Sequence, residues 1–288
     1  MKKLVIFCVI SGPDVYLPNL NLLQDSIQRN VGIPQEEYCF YIVSDKVACK
    51  EHVEASFPEN SILEVVIQDV SWAQSFNEFL SKYEDSFEYL IITHDDITVN
   101  TENFFQKTIE VMKGKEDKIG WITYTNTAHH PLGANSVRQG FCFDRLGLDT
   151  FECHNQGTID YPEGPVVVYG PYSHFNFISM KSMKIAGPCH GLNQKYTMLI
   201  DEDWCLCTVT RGLFNVWIPD IFYHHHRTRK SNLRYEREAH EAFIKRWGFD
   251  LPPTDSDIEN VVLKRWPQLE YLCHHFTYDW IYLKDLIA

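Results

Sequence analysis

An uninterrupted apolar run, Leu4–Ile10, ends in Ser11-Gly12-Pro13-Asp14, and the same punctuation recurs through the first 125 residues. A run of this length between turn residues reads as a strand buried on both faces. Tyr16 to Asn30 then sets Leu20, Leu23 and Ile27 on one face at helical spacing. Further strands are expected at 38–43, 62–67, 89–93 and 119–124, alternating with helices at 49–57, 71–83 and 101–113. The helix at 71–83 has Ser71 as a candidate N-cap and Ala73, Phe76, Phe79 and Leu80 on its buried side. Such alternation predicts an α/β fold with a mostly parallel, doubly wound sheet flanked by helices. Ligands of these sheets bind outside the carboxyl ends of the strands. The polar clusters at 11–14, Ser44-Asp45 and His94-Asp95-Asp96 all fall at strand ends, which places them in one crevice.

From Asn126 to Gly164 the periodicity fails, and the stretch is rich in His, Asn, Gly and Asp. A connection this long is usually functional. Strands resume at 165–169 and 175–180, a helix is expected at 202–211, and extended segments at 214–218 and 221–226. A charged amphipathic helix follows at 235–247. After Leu251-Pro252-Pro253, one or two helices are expected over 257–288, carrying Trp266, Leu269, Leu272, Phe276 and Trp280.

Charge narrows the partners. With 26 Lys and Arg against 39 Asp and Glu, the formal net charge is −13. Such a surface repels nucleic-acid backbones, so no nucleic-acid partner is expected. A phosphorylated ligand would need a local positive device, such as a metal ion or a helix N-terminus. The nine cysteines are odd in number and form no CxxC pair, which reads as thiols in a reducing compartment. The short apolar run after Met-Lys-Lys lacks a cleavage signature, and no run reaches the roughly 18–20 apolar residues of a membrane span. A cytoplasmic location without a transmembrane segment is the expectation.

Three clusters carry chemistry. Adjacent carboxylates at a strand end, Asp95 and Asp96, stay ionised only beside a cation or strong donors, whereas a polar turn is the plainer alternative. Asp201-Glu202-Asp203 suits the dipole of a helix start, and equally a general base facing a crevice. In the extended run Tyr223-His224-His225-His226, His224 and His226 point one way and His225 the other. Neutral imidazoles are common metal ligands.

The order and spacing of these clusters resemble a glycosyltransferase of the GT-A fold, most similar to the family 2 inverting enzymes, over roughly residues 1–230. Val5-Ile6-Phe7-Cys8-Val9-Ile10 stands at the first strand, and Ser44-Asp45 at the turn contacting the base. Ser71-Trp72-Ala73-Gln74-Ser75-Phe76-Asn77 resembles the helix before the metal motif, and Tyr89 through Val99 the DxD strand. Gly170-Pro171 through Ser179 resembles the segment before the acceptor helix. Glu202-Asp203-Trp204-Cys205-Leu206 resembles the "ED" motif, and Gly212 through Pro219 with His224–His226 the closing strand and histidine. His94 stands where the family has the motif's first Asp.

This resemblance implies a GT-A (Rossmann-like) fold with a C-terminal helical extension. Residues 1–125 form the nucleotide-sugar-binding half, 126–230 the acceptor-binding and catalytic half, and 231–288 the extension. It implies sugar transfer from a nucleotide-diphosphate donor, UDP-sugar first, to an acceptor hydroxyl of a glycan or lipid-linked acceptor, with inversion. A divalent cation (Mn²⁺ or Mg²⁺) would rest on Asp96, His224 and His226. Asp203 is the expected base, with Glu202 beside it, and Ser11, Asp14, Asp45, Asn77 and Asp95 would hold the nucleotide and its ribose. Asp96 and Asp203 are thus expected to face one cleft. The aromatic tail from about residue 255 lies outside the resemblance: packing against the catalytic domain is its default, and acceptor contacts, a dimer interface or peripheral docking at a membrane surface beside a lipid-linked acceptor would also suit it. Two readings of other classes stand beside this one: a non-catalytic nucleotide-sugar or glycan-binding module, suggested by His94, and a metal-dependent hydrolase. The second lacks the HExxH spacing.

Overall fold

Every residue of β1 (Leu4–Ile10) is buried, as an apolar run with neighbours on both faces requires. The computed structural model describes residues 2–10, 17–44, 47–58, 60–67, 72–127, 162–169, 175–188, 199–226, 237–250, 253–272 and 281–287. Within them β1 pairs in parallel with β2 (Tyr38–Ser44) and β4 (Tyr89–His94), and β2 with β3 (Ile62–Ile67). The sheet continues from β4 through β8 (Phe175–Ser179) and β6 (Ile119–Asn126) to β9 (Phe214–His225) and β5 (Ile97–Val99), with β7 (Val166–Val168) also on β9. β8 runs antiparallel to both β4 and β6, whereas β6 and β9 are parallel. Six strands therefore share one direction, and their carboxyl ends share one edge. The two expected halves are woven into a single sheet, because β8 sits between β4 and β6.

Alternate residues of the strands feed two cores. One face packs Ile6, Cys8, Phe40 and Phe177 against α1 (Leu17–Asn30), α2 (Val47–Ser56) and α4 (Phe104–Met112). The other packs Phe7, Tyr41, Leu90 and Trp121 against α3 (Trp72–Tyr83), α5 (Met180–Ala186) and α6 (Ile200–Val209). Two elements were hidden in the sequence. α5 continues directly from β8, with Ser179 ending the strand and capping the helix by accepting from the Ser182 N–H. β5 is three residues long and begins immediately after the Asp95-Asp96 turn.

A third core joins the outer side of α6 to α7 (Arg237–Trp247) and the tail through Leu206, Phe243, Trp247, Val262 and Leu269. The tail was expected as one or two helices. Among the described residues it forms a continuous helical run from Asp255 to Arg265 with a π-turn at Ile258–Val262, followed by a 3₁₀ run at Pro267–Leu272. Pro267 explains the break, since it pushes the preceding residue out of the helical region, and Trp266 lies at φ −138°, ψ 69°. Residues 281–283 then lie along β7, where the Val167 N–H donates to the Ile281 carbonyl at 2.8 Å and Leu283 N–H to Pro165 at 3.0 Å.

Asn215 holds three elements to β9. It is fully buried; its Oδ1 accepts from the Trp121 N–H and the Thr208 hydroxyl, both at 2.9 Å, and its Nδ2 donates to the Tyr169 carbonyl at 2.7 Å. Gly120 makes room for it, because a Cβ there would stand 2.4 Å from that Oδ1. Asn215→Ala strands these groups away from water and should cost about 2–4 kcal/mol. Urea unfolding checks this by a lowered midpoint at unchanged slope.

Candidate active site at the carboxyl edge

β4 delivers His94 to the edge of the sheet, and Asp95 and Asp96 turn the chain into β5. Both carboxylates are buried. β5 pairs antiparallel with the end of β9, setting Ile97 opposite His225 and Thr98 opposite His224. The His226 N–H donates to the Asp96 carbonyl at 2.9 Å, which fixes the turn to β9. In this register the imidazole that meets Asp96 is that of His225, with Nε2 3.2 Å from Oδ2.

The expected pair was His224 and His226. Strand alternation sends their rings to the other face from His225, where they meet edge to face with centroids 4.7 Å apart. Thr127 Oγ1 lies 3.1 Å from His224 Nδ1, and Thr98 Oγ1 lies 2.6 Å from His226 Nε2. Burial, and then the neighbouring His224, lower the pKa of His226, so its ring is neutral at pH 7. The two threonines were not found from sequence. Their only signal there was that Thr98 lies two residues beyond Asp96.

Among the described residues no three His, Cys, Asp or Glu side chains form a group that could hold an ion. Asp96 and His225 supply one carboxylate and one imidazole. That donor set fits a divalent ion that completes its shell from ligand oxygens and water.

Topology directs the acidic triplet toward the same edge. α6 ends at Val209, and after a turn at Arg211-Gly212 β9 begins opposite Ile119, at the start of β6. α6 therefore runs antiparallel to β6 and β9, with its first turn directed toward their carboxyl ends. Trp204 fastens it to the sheet face, stacked on Trp121 at 5.4 Å and 13° and against Phe76 at 4.8 Å.

Helical geometry then separates the three acids. Asp201 lies one turn before Trp204 and in line with Thr208, on the side of α6 toward the sheet. Glu202 lines up with Cys205, Leu206 and Val209, toward the third core. It is half-buried, and burial, then the charges of Asp201 and Asp203, push its carboxyl up to about 8. Asp203, the expected base, is 0% exposed: Oδ1 accepts from Trp247 Nε1 at 2.8 Å and Oδ2 from Arg246 Nη1 at 3.1 Å. Its carboxylate faces α7, and among the described residues nothing joins it to Asp96. The acids of this turn that reach a surface are Asp201 and Glu202.

Of the other expected contacts, Asp95 lies in the turn beside Asp96. Asn77 lines a groove of about 360 Å³ between α3 and α5, with Leu80, Glu84, Met180 and Met183, which no other expected site residue lines. Ser11, Asp14 and Asp45 lie outside the described residues.

No family model and no curated protein matches the sequence. Solved structures do match in fold. One, the crystal structure of GalNAc-T7 with UDP, GalNAc and Mn²⁺, aligns over 85% of this chain and 49% of its own, with 8% identity and a TM-score of 0.56. Another, the mannosyltransferase PcManGT from Pyrobaculum calidifontis in complex with GDP-Man and Mn²⁺, aligns over 93% of this chain and 73% of its own, with 11% identity and a TM-score of 0.56. The chain thus spans about half the length of the first.

Proposed function

The chain has the GT-A fold of these glycosyltransferases, and we propose that it transfers a sugar from a nucleotide-diphosphate donor to an acceptor hydroxyl, with inversion. What supports this reading is the topology: the Asp95-Asp96 turn closes β4 at its carboxyl end, and α6 runs antiparallel to β6 and β9, so that its acidic first turn is directed toward the same side of the sheet. The proteins of similar fold were solved with UDP or GDP-Man and Mn²⁺, which favours a nucleotide-sugar and a divalent cation here too.

In this reading Asp96 and His225 hold the cation, which when bound neutralises charge on the departing diphosphate. His225 is kept in register by the β5–β9 ladder, and Asp96 by the bond from the His226 N–H. The rings of His224 and His226, each held by a threonine, present ring nitrogens toward the same end of β9. Asp95, Asp45, Ser11 and Asp14 take the base and ribose, and Asn77 supports α3 behind them. The base role passes from Asp203 to Asp201, whose position on the sheet side of α6 lets it take the proton of the acceptor hydroxyl. Residues 1–125 then serve the donor and 126–230 the acceptor, with 231–288 as a brace. No described helix is long and apolar enough to cross a membrane, and a glycan acceptor or a lipid-linked one presented at a membrane surface suits the reading.

Thermal unfolding with UDP, GDP, dTDP and CMP, each with and without Mn²⁺, tests the proposal. A nucleotide at about 100 times its Kd adds about 2.7 kcal/mol, a rise of roughly 5–10 °C for a chain of this size. One nucleoside diphosphate should give that rise only with the metal. No rise with any nucleotide, with or without Mn²⁺, counts against it.

A further inference from the structure

The first turn of α6 does not hold its own orientation. It starts at Leu199, a non-glycine residue at φ +61° with no side-chain cap. A left-handed residue of this kind costs about 1–3 kcal/mol and persists only where its surroundings over-determine it. Here they do: Leu199 is buried in the cluster that holds Phe243 and Trp247 of α7. Four residues on, both carboxylate oxygens of Asp203 are taken by α7, one by the Trp247 indole N–H and one by the Arg246 guanidinium. Arg246 is itself fixed, with its guanidinium 4.9 Å from the Trp247 ring and Nη2 3.2 Å from Cys207 Sγ. The turn is thus gripped from outside at two points, while Trp204 grips it from the sheet.

We propose that Arg246 and Trp247 are positioning residues. By holding Asp203 they set the rotation of α6 about its axis, and so the direction in which Asp201 faces the crevice. The inference rests on the proposed base role of Asp201. It assigns the C-terminal extension a part in sugar transfer although none of its described residues lies at the carboxyl edge. The same contact has an electrostatic side. Glu202 is faced by Asp201 and Asp203 on its own helix, by the Cys205 thiol, and by the Tyr169 hydroxyl, which lies 3.4 Å from its carbonyl. Arg246 is the cation that balances Asp203 behind it.

The test compares Trp247→Phe, which keeps the ring and removes the N–H, with Arg246→Met, Arg246→Lys and, as a packing control in the same cluster, Val262→Ala. Donor KM and kcat are measured for each, and the Glu202 carboxyl is titrated by carbon NMR without substrate. Misdirecting a reacting group by about 1 Å costs up to about 10²-fold. Trp247→Phe and Arg246→Met should therefore lose about 10- to 100-fold in kcat with donor KM within about twofold, and Arg246→Lys should recover most of it. Val262→Ala should lower the melting temperature comparably while keeping kcat. In Arg246→Met the Glu202 midpoint should rise by about one pH unit as Asp203 loses its counter-charge, and Arg246→Lys should restore it. A folded Trp247→Phe with native kcat overturns the inference. So does a Val262→Ala whose kcat falls as far, or a Glu202 midpoint unmoved in Arg246→Met. If the midpoint moves but the native protein transfers no sugar, the α7–α6 coupling stands and the proposed function falls.

Discussion

Asp201→Asn lowers the rate of sugar transfer by about 10²–10⁴, the usual worth of a positioned general base, while nucleotide binding stays near native. The expectation comes from the three acids' unequal positions on one turn. Asp203 is sealed against α7, and Glu202 is turned toward the third core. Asp201 shares the side of Trp204, which lies flat on the sheet. Glu202→Gln should therefore cost much less turnover than Asp201→Asn. Asp203→Asn should act first on stability, because it leaves the Arg246 guanidinium facing an uncharged amide in a buried contact. Turnover and nucleotide affinity measured for all three separate these roles. Native turnover in a folded Asp201→Asn would remove the base from this position.

Asp96→Asn should reduce turnover by about 10²-fold or more and abolish the part of the nucleotide response that depends on Mn²⁺. Its amide keeps the shape of the turn, and the backbone bond from His226 to residue 96 does not involve the side chain, so the fold should survive. His225→Ala should follow it in kind, whereas His224→Ala should leave most of the metal response. Titration calorimetry of Mn²⁺ in the presence of nucleoside diphosphate reads this order directly. An equal loss from His224→Ala and His225→Ala would mean that the β5–β9 register does not decide which ring serves the ion.

Local sequence carried the parts of this architecture that local physics determines. Leu4–Ile10 and Tyr38–Ser44 are strands because runs so apolar have no exposed alternative, and the acids fall at strand ends because such runs end where polarity begins. The three histidines' alternation was equally legible, but which face meets Asp96 was not. That depends on β5, a three-residue strand whose register is set by a partner more than 120 residues away. The role of Asp203 was hidden for the same reason. Nothing near Asp203 announces that Trp247, 44 residues later, will claim its carboxylate. Motif position pointed to the acidic turn, but which of three adjacent acids is left open to a ligand is a matter of helix rotation, and tertiary contacts set that rotation.

The place of β8 has a consequence for how the protein is made. β1 to β4 can pair in parallel as soon as residue 94 has been synthesised, but β6 has no neighbour on either side until β8 and β9 arrive. A ribosome would therefore hold out an apolar strand, Ile119–Asn126, while at least 50 further residues emerged. Long-range pairing of this kind is slow and leaves an open edge exposed to other chains. The nascent polypeptide should thus depend on holdase protection during the interval when β1 to β4 are paired and β6 is not.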